Sequence, residues 1–74
     1  MQILAINVGL GKKIKELRSK RKITQEELAE RIKTSYKYVQ RIESQKPPDI
    51  RLSTLKRIAT ALKTTPARLL EYKS

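Results

Sequence analysis

Two short runs decide the fold: Thr24-Gln25-Glu26-Glu27-Leu28-Ala29-Glu30-Arg31-Ile32 and Ser35-Tyr36-Lys37-Tyr38-Val39-Gln40-Arg41-Ile42-Glu43, parted by Lys33 and Thr34. Thr24 and Glu27 have the S/T-x-x-E spacing of a capping box, in which each side chain satisfies a free amide at a helix start. Leu28, Ala29 and Ile32 then fall on one side of a helix running to about Ile32. Ala29 is small enough to let the next helix cross closely. Lys33-Thr34-Ser35 makes the turn, and Thr34 or Ser35 can cap the third helix. Over Ser35 to Ser44, at about 100° per residue, Ser35, Val39 and Ile42 gather on one side. Lys37, Gln40, Arg41 and Ser44 gather opposite, flanked by Tyr36, while Tyr38 lies on the border of the core. Such a helix is mostly surface, so its polar edge carries the information.

Outward from this centre the same period continues. Leu10, Ile14 and Leu17 repeat at i, i+4, i+7, and Lys20-Arg21-Lys22 closes that first helix with cations at the negative end of its dipole. Ile23 is expected to plug the core. Downstream, Lys46-Pro47-Pro48-Asp49 reads as a loop, since two prolines remove two amide donors. A fourth helix is expected from Leu52 to Lys63 on Leu55, Ile58, Ala59 and Leu62, and Thr65-Pro66 starts a short fifth with Leu69 and Leu70. Residues 1–9 stand apart as an apolar N-terminal arm. They carry no charged side chain, alternate as a strand does over Leu4, Ile6 and Val8, and end where Gly9 and Gly11 break the pattern. The domain proper is residues 10–74: all-α, a compact five-helix bundle.

The chain has 74 residues, enough for one domain that buries about 60% of its unfolded surface. Cysteine and histidine are absent, which removes disulfides and thiolate or imidazole metal sites. Only seven carboxylates remain, and helix or charge roles explain several of them, so no enzyme, metal or cofactor is expected. Eighteen Lys and Arg give a net charge of +11, enough to favour a polyanion through phosphate neutralisation. Nucleic acid and an anionic membrane surface both fit that charge. No apolar run approaches the roughly 20 residues needed to span a bilayer and no signal peptide is visible, so a cytoplasmic protein is expected.

The motifs Ile14-x-x-Leu17-Arg18, Thr24-Gln25-Glu26-Glu27-Leu28-Ala29, Val39-x-x-Ile42-Glu43 and Leu55-x-x-Ile58-Ala59-x-Ala61-Leu62 stand in one order and spacing. Through them residues 10–71 resemble the helix-turn-helix domain of the lambdoid phage repressor and Cro family. Each motif alone is weak; the set is strong. The resemblance implies that the third helix enters the major groove of DNA. It assigns base reading to Tyr36, Lys37, Gln40 and Arg41, and phosphate contacts to Gln25, Ser35, Ser44 and Lys46. It makes Arg18 and Glu43 an internal ion pair tying the first helix to the third. One such helix meets too few bases for useful selectivity, so a homodimer is expected. Leu69, Leu70, Tyr72 and residues 1–9, which the compact core cannot easily absorb, are the candidate surface. Where the family usually has glycine at helix ends, this chain has Lys22, Lys33, Gln45 and Lys63, and Arg51 replaces the usual Ser or Thr cap of the fourth helix.

The expected function is a sequence-specific, repressor-like transcriptional regulator acting on double-stranded DNA. An antitoxin that binds both DNA and a toxin protein is the alternative; residues 1–9 would be its partner segment. A sequence-neutral binder driven by charge would leave the polar cluster on the third helix unexplained.

Overall fold

The computed structural model describes the backbone of residues 2–71 and the side-chain surroundings of residues 7–71. Five helices run in order along the chain: α1 (Gln2–Lys20), α2 (Gln25–Arg31), α3 (Tyr36–Ile42), α4 (Leu52–Ala61) and α5 (Pro66–Leu69). Helix α3 packs on α2 and α1, α4 packs on α2 and α5, and α5 returns to α1. The described residues include no strand.

Each helix contributes the apolar positions its period requires. Ile14, Leu28, Val39, Ile58, Leu62 and Leu69 are completely enclosed, with Leu10, Ile23, Ile32, Ile42, Leu55 and Ala59 around them. Tyr38 is half-buried against this cluster, at the core's edge as its place on the wheel suggests. Burying a Leu or Ile side chain is worth about 1.5–3 kcal/mol, so these positions hold the bundle together.

The starts and stops are chemical. Thr24 and Glu27 form the reciprocal cap, with the Thr24 amide donating to Glu27 Oε1 at 2.8 Å and the Glu27 amide to Thr24 Oγ1 at 3.0 Å. Ser35 and Thr65 cap α3 and α5 with their hydroxyls, while Arg51 starts α4 without a side-chain cap. Lys22, Lys33 and Lys63 take left-handed φ values of 55°, 57° and 55°. In each case the next residue's amide reaches back to a carbonyl of the last turn, as from Thr34 to Ala29 at 2.9 Å. Lysine thus occupies a glycine-type helix end three times.

The structure differs from the sequence reading in several places. Helix α1 begins at Gln2 and not at Leu10, so the strand-like alternation does not set the backbone of residues 2–9. Gly11 lies within α1. It is buried, and a Cβ there would run into the Ile42 carbonyl oxygen, so glycine is what lets α1 lie against the end of α3. Gln45 has no positive φ; past the end of α3 the Ser44 hydroxyl donates to the Arg41 carbonyl at 2.7 Å. Leu69 is 0% exposed and belongs to the core, so it cannot face a second copy. Leu70 is about half exposed, and Tyr72 lies outside the described residues.

Candidate nucleic-acid interface

Helix α3 turns Val39 and Ile42 into the core. That anchoring leaves Lys37, Gln40 and Arg41 exposed together on the other side, with Tyr36 at 45% exposure beside them. Among the described residues Lys37 and Arg41 have no carboxylate within ion-pair distance. The edge therefore presents cations, an amide and a phenol, with no acid to neutralise them.

The residues at its margins are each held by local bonds. Ser35 Oγ accepts the Tyr38 amide at 3.0 Å and keeps its own O–H free to donate. Ser44 Oγ donates to Arg41 and accepts the Lys46 amide at 3.2 Å, so its one hydrogen is already engaged. Lys46 is exposed in the loop after α3.

Behind the edge lies a polar clamp. Arg18 donates from Nε to Glu43 Oε2 at 2.9 Å and from Nη2 to Oε1 at 3.0 Å, a two-pronged pairing, and from Nη1 to the Ile23 carbonyl at 2.8 Å. Gln25 Nε2 donates to Glu43 Oε1 at 2.9 Å. The Glu43 side chain is 3% exposed and that of Arg18 12%. This clamp joins the first helix, the start of α2 and the end of α3, and so fixes how α3 is presented. The resemblance pairs Arg18 with Glu43 but gives no sign that Gln25 shares the carboxylate. One N–H of the Gln25 amide remains for an outside acceptor.

Among the described residues no helix is long and apolar enough to cross a membrane. The clamp leaves the polar edge of α3 open to another molecule.

Comparison with solved structures bears on what that molecule is. The chain superposes on the clp gene regulator ClgR from Corynebacterium glutamicum with a TM-score of 0.83 at 25% identity, covering 88% of this chain and 68% of that one. The restriction-modification controller protein C.AhdI from Aeromonas hydrophila gives 0.82 at 31% identity, over 88% and 97% of the two chains. Apo-HppE matches at 0.79 and 25% identity over 86% of this chain, but only 35% of its own length is involved, so the likeness reaches one part of that protein. No curated protein matches the chain. A model of the Cro/C1-type HTH DNA-binding domain matches residues 13–74, which includes the whole of α2 through α5 and the clamp residues on all three of its helices. The chain belongs to the Cro/C1-type helix-turn-helix DNA-binding family.

Proposed function

We propose that this protein is a sequence-specific transcriptional regulator, repressor-like in action, that reads double-stranded DNA in the major groove with α3. The observation that carries the reading is the exposed Lys37, Gln40 and Arg41 edge, flanked by Tyr36, on the side of α3 away from the buried Val39 and Ile42. Arg41 or Lys37 donates to guanine O6 and N7, and Tyr36 meets a thymine methyl; a good bidentate pair discriminates by about 1–3 kcal/mol. Gln25, Ser35 and Lys46 hold phosphates and set register, Gln25 through its remaining amide hydrogen. Ser44 joins them by releasing the Arg41 carbonyl.

One short helix meets few bases, so the working unit is a two-fold dimer on half-sites about one DNA turn apart. The exposed Leu70 is a candidate for its surface. ClgR, a gene regulator by name, and C.AhdI, a controller protein by name, support the regulatory part of this reading.

Selection of bound duplexes from a random pool tests the proposal. The expected product is a short motif repeated with inverted symmetry. A pool that remains random after repeated selection would reject sequence reading, and a single unrepeated motif would reject the dimer.

A further inference from the structure

The reading edge uses Lys37, Arg41 and Lys46 and leaves a second set of cations without a role. Lys20, Arg21, Lys63 and Arg68 line an open cleft of about 450 Å³ between the C-terminal half of α1 and the junction of α4 with α5, and Leu17 lines it with them. Arg21 Nη2 donates to the Lys63 carbonyl at 3.3 Å, which draws the two sides of the cleft together. Among the described residues none of these four cations has a carboxylate within ion-pair distance, and Glu71 is the one acid on the lining. With Lys13, which pairs with Glu16 at 3.9 Å, five cations line the cleft against one acid, an excess that an anionic occupant would offset.

Position separates this cleft from the DNA-reading face. At about 100° per residue, Leu17 is about 100° and Lys20 about 160° around α1 from Arg18. Arg18 points to Glu43 and the α2–α3 side, so the cleft opens on the other flank of the first helix. The cleft and the outward edge of α3 are therefore separate surfaces. The lining also has an apolar component: Leu17 is half-buried and packed on the core. A phosphate group offers nothing apolar to cover such a side chain. A peptide that alternates carboxylates with an apolar residue satisfies both parts.

We infer that the cleft docks an acidic peptide segment of a partner protein, its carboxylates on Lys20, Arg21, Lys63 and Arg68 and an aliphatic side chain on Leu17. The regulator would hold DNA on one face and an acidic protein on the other. The inference stands on charge and shape at the cleft and does not require the base-reading assignment.

Backbone amide NMR of the full chain tests it, with a synthetic peptide of four glutamates around one leucine as the probe. Saturable shifts are expected at Leu17, Lys20 and Arg68, with Lys37 and Arg41 unmoved. The double variant K20E/R68E should bind the peptide about tenfold or more weakly, with its melting temperature and duplex affinity retained. In the wild-type protein, replacing the peptide's leucine by alanine should also weaken binding, a readout that needs no variant to fold. Equal binding of a glutamine-for-glutamate peptide would overturn the inference, as would shifts centred on α3. So would a random duplex that fills the cleft while the peptide does not, which would make the cleft a nucleic-acid surface.

Discussion

Gln25 and Arg18 converge on a single oxygen: Glu43 Oε1 accepts Gln25 Nε2 at 2.9 Å and Arg18 Nη2 at 3.0 Å. Removing that carboxylate would strand a guanidinium whose side chain is only 12% exposed. Breaking such a pair by deleting one partner costs about 3–5 kcal/mol, because the other charge stays covered and unpaired. Glu43→Ala should therefore destabilise the fold by about 3 kcal/mol in denaturant unfolding. A loss near the few tenths typical of a surface pair would mean that solvent already screens the clamp.

Gly11 offers a test in which two effects have opposite signs. In an exposed helix, alanine in place of glycine stabilises by roughly 0.8–1 kcal/mol. Here the added Cβ meets the Ile42 carbonyl oxygen, a backbone atom that moves only with the end of α3. Overpacking of this kind costs about 1–3 kcal/mol. Gly11→Ala should lower the melting temperature; a rise would show that α1 does not sit tightly against α3.

The sequence carried the local rules well and the long-range ones poorly. The capping box at Thr24 and Glu27, the Val39 and Ile42 anchors and the Thr65-Pro66 start are local, and all stand in the structure. The α1 N-terminus was misleading because an alternating apolar run of a few residues fits strand and helix alike. The fit of Gly11 against α3 has no local signal, because it depends on Ile42, a residue far along the chain. The Gln25 bond to Glu43 spans 18 positions and the Arg21 bond to the Lys63 carbonyl spans 42, beyond any periodic pattern. Leu69 and Leu70 are neighbours of the same type; only packing distinguishes the buried one from the exposed one.

Acid should weaken the start of α2 specifically. The Glu27 carboxyl is held below its ordinary value near 4.5, chiefly by the Thr24 backbone amide and then by the Thr24 side chain. A lowered folded-state pKa contributes stability that is present above the ordinary glutamate range and lost as pH falls through the folded value. Glu27→Gln keeps a side-chain acceptor but removes the titration. The wild type should exceed this variant in stability at neutral pH, and the gap should close below the glutamate range. A gap constant with pH would exclude the charged cap as its source.

Lysine at left-handed φ invites replacement. Lys33 sits at φ 57° in the turn between α2 and α3. Left-handed geometry costs a non-glycine residue about 1–2 kcal/mol, partly offset because glycine loosens the unfolded chain by about 0.4–1 kcal/mol. Lys33→Gly should raise stability by a few tenths to about 1 kcal/mol by the same balance. Thermal melts of Lys33→Gly and Lys33→Ala compare the two terms, since alanine keeps the strain and removes the charge. If alanine stabilises as much as glycine, charge repulsion and not backbone geometry is the term at work.

Two exposed cations near α3 should separate base reading from phosphate binding. Arg41 is on the outward edge of α3, whereas Lys46 lies in the loop beyond it. Arg41→Ala should lower affinity for the selected duplex by about tenfold or more, within the 1–3 kcal/mol of a base contact, and leave random-duplex binding nearly unchanged. Lys46→Ala should weaken both duplexes alike and reduce the salt dependence by about one counterion. Titrations of both variants against both duplexes at several salt concentrations decide the matter. Equal losses on the two duplexes for Arg41→Ala would reassign that side chain to phosphate, and an unchanged salt slope for Lys46→Ala would remove it from the backbone contacts.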